Sequence, residues 1–195
     1  TRPNIKFSSD GICPACDYFS EYKKVNWEER KKILLDLAEQ YRNPSAQYDC
    51  IIGVSGGKDS LRQALWVRDK LNLKPLLVCM AWPPDHVNQR GVENISNLIN
   101  LGFDMLISSP GPNLFRKLMR SSFLKFGNWA LASELALYTS VPKIAINYGI
   151  KLIFNGEDPG QKEKNSELLN GWNNNNIIQN NTLRGGDIDW MEEDV

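Results

Sequence analysis

A six-residue segment, Ser55-Gly56-Gly57-Lys58-Asp59-Ser60, stands between a short apolar run at 50–54 and a helical pattern at 61–71. This spacing predicts a strand, a tight turn and a helix. At the carboxyl end of a parallel strand, the next helix points free N–H groups and the positive end of its dipole at a ligand. Two glycines let phosphate oxygens approach the backbone. The segment therefore predicts a phosphate-binding loop.

The other side chains of the loop fit the same chemistry. Ser55 and Ser60 can donate hydroxyl hydrogen bonds, and Lys58 adds a positive charge. Asp59 would repel phosphate, which predicts either a Mg²⁺ ion between them or an N-cap role for Asp59 in its own helix. The spacing differs from that of the Walker A loop. A glycine–serine turn without a ligand is the alternative.

Strand and helix patterns alternate along the chain, and the strands are uniformly apolar. Such strands are covered on both faces, so the pattern predicts an α/β fold with a doubly wound parallel sheet. The predicted strands are 50–54, 76–80, 103–107 and 152–154, and the predicted helices are 61–71, 92–101 and 129–148.

Several details follow from local signals. Asn26 is predicted to cap a helix, with Glu29 as its capping-box partner, and Leu34, Leu37, Ala38 and Tyr41 lie at helical spacing on a predicted buried face. Ile95, Leu98 and Ile99 are predicted to face inward from 92–101. Asn113 is predicted to cap a further helix, and Pro142 to break the helix at 129–148.

The chain divides into three predicted parts. Residues 1–45 form an irregular Cys-x-x-Cys segment to about residue 25, then a helix. Residues 46–160 form the nucleotide-binding domain, and 161–195 a polar loop, mobile over 170–181, plus the start of a further part. Because the sequence opens on Thr1 and ends soon after a Gly-Gly-Asp segment, we expect it to be a piece of a longer protein.

Polar residues that follow other strands are candidates for the same site. The backbone near Met80 is placed to contact a base, and Glu157 and Asp158, after the fourth strand, to hold Mg²⁺ or substrate. An acidic turn is the alternative for that pair. The only histidine, His86, is more often a surface residue than a catalytic one.

A polar cluster precedes the long helix at 129–148. Asn128, Ser133 and Glu134 are candidates to line a substrate pocket, and an exposed helix surface is equally compatible with them.

The four cysteines separate into two kinds. Cys50 and Cys79 lie in predicted core strands and are expected to be buried apolar residues. Cys13 and Cys16 form a Cys-x-x-Cys pair, which is half of a tetrahedral zinc site. A redox or sulfur-carrying pair is the other possibility.

Charge limits the class of partner. The chain of 195 residues carries 23 Lys and Arg against 23 Asp and Glu, so it has no strong basic footprint for nucleic acid. No apolar run approaches the roughly 20 residues that a membrane helix needs, and no signal peptide opens the chain. The cytoplasm is the expected compartment, with reduced thiols.

The loop Ser-Gly-Gly-x-Asp-Ser resembles that of the PP-loop ATP pyrophosphatases, or adenine nucleotide alpha-hydrolase-like enzymes, which cleave ATP to AMP and pyrophosphate. The ordered set of motifs resembles more narrowly the N-acetyl sugar amidotransferases of surface-glycan biosynthesis, such as O-antigen. The matching segments are 1–7, 11–16, 55–60, 133–138 with 141–142, 153–159 and 185–190. Members of that family have a second Cys-x-x-Cys upstream and continue past the last segment.

This resemblance implies a reaction. ATP adenylates the amide oxygen of an acetamido sugar, expected to be nucleotide-linked, and ammonia from a separate glutaminase subunit displaces AMP to leave an acetamidino group. Lys58, Asp59 and Glu157 are the implied catalytic residues, with ATP and Mg²⁺ as cofactors and Zn²⁺ as a further candidate. No cysteine here has the histidine partner of a glutaminase nucleophile.

Two other functions remain open. A tRNA-thiolating PP-loop enzyme would use the same adenylation, with Cys13 and Cys16 relaying sulfur, although neutral charge makes nucleic acid an unexpected partner. A nucleotide-sensing module without turnover is the second alternative.

Overall fold

A computed structural model of the protein describes residues 7–82 and 87–156. Residues 7–33 belong to one compact unit and residues 34–156 to another. The elements in chain order are α1 (Pro14–Tyr22), α2 (Trp27–Tyr41), β1 (Cys50–Gly53), α3 (Lys58–Asp69), β2 (Pro75–Met80), α4 (Gln89–Asn100), β3 (Met105–Ser108), α5 (Pro112–Phe126), α6 (Leu131–Tyr148) and β4 (Leu152–Phe154).

The four strands form one parallel sheet in the order β3-β2-β1-β4. Cys50 of β1 pairs with Pro75 of β2 on one side and with Leu152 of β4 on the other. The order reverses between β1 and β4, and such a reversal is where doubly wound sheets bind ligands. The predicted α/β fold with a doubly wound parallel sheet is confirmed.

Apolar side chains cover both faces of this sheet. On one face Ile52 and Leu77 pack with Val67 of α3 and Leu98 of α4. On the other face Ile51 and Val78 pack against α6 through Val141 and Ala145. Full burial of an aliphatic side chain contributes about 1.5–3 kcal/mol. The unbroken apolar strands therefore hold helices on both faces, as their composition predicts.

The N-terminal segment contains a helix that the sequence did not reveal. Cys13 has extended backbone angles and is the N-cap of α1, and Pro14 occupies the first helical position. Proline suits that position because its missing N–H would have no partner there. The prediction of an irregular segment to about residue 25 is wrong over α1.

Some predicted helix details hold and others fail. The amide of Glu29 donates to Asn26 Oδ1 at 3.2 Å, so Asn26 caps α2 as predicted. Ala38 is buried, but Leu37 is 39% exposed, so the buried face of α2 is narrower than the sequence predicts. In α4, Leu98 is buried and Ile99 is 51% exposed, so the inward prediction for Ile99 is wrong.

Two helix boundaries differ from prediction near prolines. Gly111 is the N-cap of α5, because Pro112 takes the first helical position and puts Asn113 inside the helix. Helix α6 continues through Pro142 without a break. Proline removes one backbone hydrogen bond, and burial of the neighbouring Val141 against the sheet opposes that cost. Both sequence predictions are wrong.

Within the described ranges, no helix is long and apolar enough to cross a membrane. The predicted mobile loop at 170–181 lies outside the described residues.

Candidate active site

The carboxyl ends of β1 and β4 lie side by side where the strand order reverses. The predicted phosphate loop follows β1 directly. The amide of Val54 donates to the carbonyl oxygen of Val78 at 2.8 Å, which keeps the chain in register with β2 until the loop begins. The sheet thereby fixes where the loop starts.

Gly56 forms the turn of this loop. Its φ is +78°, a conformation that favours glycine, and a Cβ built on it would lie 2.9 Å from Cβ of Asn94 in α4. Both the backbone angle and the space exclude a side chain here. The loop is therefore seated against α4 as well as against β1.

Helix α3 begins at Lys58, three residues earlier than the sequence predicts, so Lys58, Asp59 and Ser60 form its first turn. The N-cap is Gly57, which offers no side chain to the amides of that turn. Asp59 is inside the helix, so its alternative role as N-cap is wrong. An uncapped first turn presents N–H groups to an anion.

The two serines of the loop are held differently. Ser60 Oγ donates to the Gly57 carbonyl at 3.0 Å, which tightens the turn. Ser55 Oγ accepts from the Gly57 amide at 3.3 Å, so its hydroxyl hydrogen remains available to donate. Lys58 and Asp59 are exposed. The loop thus presents a cation, a hydroxyl and helix amides on one turn.

The end of β2 offers an apolar wall. Met80, the last residue of β2, is half-buried, and the amide of Ala81 donates to the Ser108 carbonyl at 3.0 Å. Trp82 follows and is 37% exposed, with its ring edge on Phe115 of α5 at 5.2 Å between centroids. Sequence reasoning named Met80 and missed Trp82, although an aromatic residue directly after a strand was a visible signal.

Gln63, about one helical turn after the first turn of α3, joins the two segments on either side of the point where the strand order reverses. Its Nε2 donates to the carbonyl oxygen of Asn155, just after β4, at 3.0 Å. Its Oε1 is buried without a hydrogen-bond partner and lies 3.2 Å from where a Cβ on Gly156 would be. Sequence reasoning missed Gln63, because nothing in its local pattern indicates a partner 92 residues away.

The start of α6 gathers the three predicted substrate-pocket residues. Asn128 Oδ1 accepts from the Ala130 amide at 3.0 Å, and Ser133 Oγ donates to the Ala130 carbonyl at 2.7 Å. Both side chains stabilise this turn. Glu134 Oε2 is buried and has no hydrogen-bond partner.

Helix α6 runs from the carboxyl edge of the sheet to its amino edge. Tyr148 ends the helix just before β4 starts at Leu152. Val141 Cγ2 lies 3.0 Å from the position of a Cβ on Gly53, the last residue of β1. Glu134 precedes Val141 by seven residues, about two helical turns. It therefore lies beyond the carboxyl end of β1, at the edge that carries the phosphate loop.

The cysteines differ in environment as predicted. Cys50 and Cys79 are buried; burial and, to a lesser extent, the Asp49 carboxylate raise the pKa of Cys50 to about 12, and burial raises the pKa of Cys79. Hydrogen bonds from the Cys16 amide and thiol lower the pKa of Cys13, and the same pairing raises that of Cys16.

The described ranges hold no group of three or more His, Cys, Asp or Glu side chains that could bind a metal ion. Cys13 and Cys16 supply two thiols, which do not complete the four-ligand set of a structural zinc. The described residues therefore do not fit the predicted zinc site on their own.

Two predicted site residues, Glu157 and Asp158, lie outside the described residues, and so does His86, which was not expected to be catalytic. Cys13 and Cys16 lie at the start of α1, in the unit of residues 7–33. The other predicted site residues divide between the loop after β1, the end of β2 and the start of α6, all in the unit of residues 34–156.

A cavity of about 340 Å³ lies at the amino edge of the sheet and is lined in part by Tyr48, Lys74 and Asp104. Tyr48 donates its hydroxyl hydrogen to Asp104 Oδ2 at 2.8 Å. Burial, and then this bond and the Asp104 charge, raise the pKa of Tyr48 to about 12. This arrangement stabilises the edge opposite the phosphate loop.

Among solved structures, the chain is similar to an ammonia-dependent NAD synthetase from Campylobacter jejuni. The TM-score is 0.51 at 15% identity, over 71% of this chain and 59% of that one. The fold is that of this NAD synthetase. A glutamine-dependent NAD synthetase from Acinetobacter baumannii aligns with a TM-score of 0.48 and 20% identity, over 66% of this chain and 24% of that one.

No family model matches the chain. In sequence it is 28% identical over 98 residues to the uncharacterized protein MJ1599 of Methanocaldococcus jannaschii. That alignment covers 50% of this chain and 34% of the relative, so the chain spans about a third of the relative's length.

Proposed function

We propose that this protein is an ATP-dependent, AMP-forming amidotransferase of the PP-loop type. The observation that carries the proposal is the uncapped first turn of α3 behind Gly56, at the end of β1 where the strand order reverses. At that position the free amides, the helix dipole and the positive charge of Lys58 can all bind the same anion. The fold shared with an ammonia-dependent NAD synthetase supports the general architecture.

The loop would hold the phosphate groups of ATP. Lys58 would neutralise the charge that develops on departing pyrophosphate, and Ser55 and the helix amides would orient it. The base would lie against the end of β2, between the backbone near Met80 and the exposed ring of Trp82. These groups come from two segments, the loop after β1 and the end of β2, and the pairing of β1 with β2 holds both in place.

Asp59 fits a Mg²⁺ ion bound to the nucleotide. Mg²⁺ in such sites takes one or two carboxylates together with substrate phosphates and water, so it does not need an all-protein cluster. When bound, the ion would neutralise phosphate charge during transfer. Glu157 and Asp158 remain proposed as further acidic groups of the site.

The acceptor is proposed to be a nucleotide-linked acetamido sugar, bound on the side of α6. An amide oxygen is a poor leaving group, and adenylation corrects this by making AMP the group that departs. Ammonia, supplied by a glutaminase subunit, would then form the acetamidino product. Exclusion of water matters because water would only regenerate the amide.

The test is to incubate the protein with ATP, Mg²⁺, ammonium and a nucleotide-linked diacetamido sugar, and to follow the sugar by mass spectrometry. Replacement of one oxygen by NH is expected. If no acetamido sugar gives that product, while a tRNA gains sulfur and Cys13→Ser abolishes the gain, the thiolating alternative takes its place. Tight ATP binding with no turnover of any acceptor would instead support a nucleotide sensor.

A further inference from the structure

Two buried hydrogen-bond acceptors at the carboxyl edge of the sheet have no partner among the described residues: Gln63 Oε1 on α3 and Glu134 Oε2 on α6. Buried polar groups without partners are rare because each costs about 1–3 kcal/mol. Both atoms accept, since the Nε2 of Gln63 is already committed to Asn155. The described residues therefore supply neither of these two oxygens with a donor.

The donor groups at this edge occur on the phosphate loop, where Lys58 and the amides of α3 suit an anion. Glu134 offers the opposite chemistry, a carboxylate, on the other face of the sheet. Among the residues that the structure describes, none of the ion pairs involves Glu134. A carboxylate with a buried, unpaired oxygen favours a cationic hydrogen-bond donor over a neutral one.

A metal ion fits Glu134 poorly. The described part of the chain has no group of three candidate metal-binding side chains, at Glu134 or elsewhere. Hard divalent cations take six or more oxygen ligands, and Glu134, unlike Asp59, is not on the loop proposed to hold the nucleotide phosphates that would supply them. A small nitrogen cation needs only a few directed acceptors, and one charged oxygen supplies the strongest of them.

We infer that Glu134 binds ammonium, the protonated form of the nucleophile, at the start of α6. This inference rests on the proposed function for its chemical meaning. Ammonium would give one proton to the Glu134 carboxylate, and the nitrogen lone pair would form the C–N bond with the activated carbon. The C–O bond would break with its electron pair leaving on AMP, and the proton on Glu134 would pass to water.

The acetamido N–H of the acceptor could also donate a nitrogen-bound hydrogen to Glu134. Charge favours ammonium, because a cation balances the carboxylate at the buried Oε2 of Glu134, which a neutral amide does not. An experiment can distinguish the two donors, because binding of the first depends on the ammonium concentration and binding of the second on the acceptor concentration.

The direct test is binding without turnover. Thermal unfolding of the full chain is followed in ammonium chloride and in tetramethylammonium chloride at equal ionic strength, since the second cation has no N–H to donate. A ligand that binds only the folded state raises the melting temperature. The wild type is expected to be stabilised by ammonium relative to tetramethylammonium, and absence of that difference overturns the inference without any variant.

Variants then locate the site. Glu134→Gln keeps the shape of the side chain and removes its charge, so it should lose the ammonium-dependent stabilisation. Glu93→Gln, on α4 and exposed, is the matched control and should keep it. Equal ammonium responses in wild type and Glu134→Gln overturn the assignment.

Kinetics separates this inference from the proposed function. Glu134→Gln should raise KM for ammonium about tenfold or more, and should raise KM for the acceptor much less. A raised KM for the acceptor alone would mean that the acceptor amide is the donor and overturns the inference. If the wild type binds ammonium through Glu134 but forms no AMP with any acceptor, the proposed function fails and the ammonium site stands.

Discussion

Gln63 Nε2 donates to the carbonyl oxygen of Asn155 at 3.0 Å, and this bond joins the helix behind the phosphate loop to the end of β4. It crosses the point where the strand order reverses. Together with the pairing of β1 and β4, this amide side chain sets the spacing between the loop and the residues after β4. A ligand held by both segments would depend on that spacing.

Gln63→Met should impair function more than stability. The variant loses one hydrogen bond, but it also removes a buried acceptor that has no partner, and the exposed Asn155 can turn to water. The free energy of unfolding in urea should change by less than about 1 kcal/mol, while ATP affinity falls about tenfold. Gln89→Met, on the exposed start of α4, is the control. Loss of stability without loss of ATP affinity would assign Gln63 a purely structural role.

Gly56→Ala tests how tightly the loop is seated. A positive φ costs a non-glycine residue about 1–2 kcal/mol, and the added Cβ would lie 2.9 Å from Cβ of Asn94. Gly127 has a similar φ of +66° with nothing within 4 Å of the added Cβ, so Gly127→Ala pays only the conformational cost. Denaturant unfolding should show the larger loss for Gly56→Ala. Equal losses would mean that α4 does not confine the loop.

The sequence predicts those parts of the fold whose structure is determined by residues close to them in the chain. The strand at β1, the loop after it and the start of the next helix depend on neighbouring residues, so their sequence predicts them. The continuation of α6 through Pro142 depends on packing of Val141 against β1, which the helix sequence does not contain.

The candidate site shows the same division. Lys58 and Asp59 belong to a recognisable segment, and the structure puts both on the first turn of α3. The bond from Gln63 to Asn155 joins residues 92 positions apart, and the unpaired oxygen of Glu134 is visible only once its surroundings are built. Local patterns predict where a ligand binds, whereas unmet hydrogen bonds require the assembled fold.

Tyr48 should make stability depend on pH in alkaline solution. Its pKa is raised to about 12 in the folded chain, against about 10 for an ordinary tyrosine. The stabilisation is therefore fully present below pH 10 and is lost as pH rises towards 12, because the unfolded chain loses that proton first. Tyr48→Phe should flatten the fall in the free energy of unfolding over this window, and Tyr41→Phe should not. Parallel curves for wild type and Tyr48→Phe would exclude the effect.

The four thiols should react in two pairs. Cys16 is exposed and Cys13 half-buried, whereas Cys50 and Cys79 are buried in the sheet. With a thiol-specific disulfide reagent at pH 8, Cys13 and Cys16 should react quickly and the other two only as the protein unfolds. Peptide mapping after a short exposure identifies the modified residues. Early modification of Cys50 or Cys79 would contradict the buried sheet.

The cleavage products of ATP test the central claim most directly. The protein is incubated with ATP, Mg²⁺, ammonium and an acetamido sugar, and the nucleotides are separated by chromatography. We expect AMP and pyrophosphate in equal amounts, with turnover greatly reduced in Lys58→Ala and unchanged in Lys70→Ala, at the far end of α3. ADP and orthophosphate as products, or equal turnover in Lys58→Ala and wild type, would contradict the account.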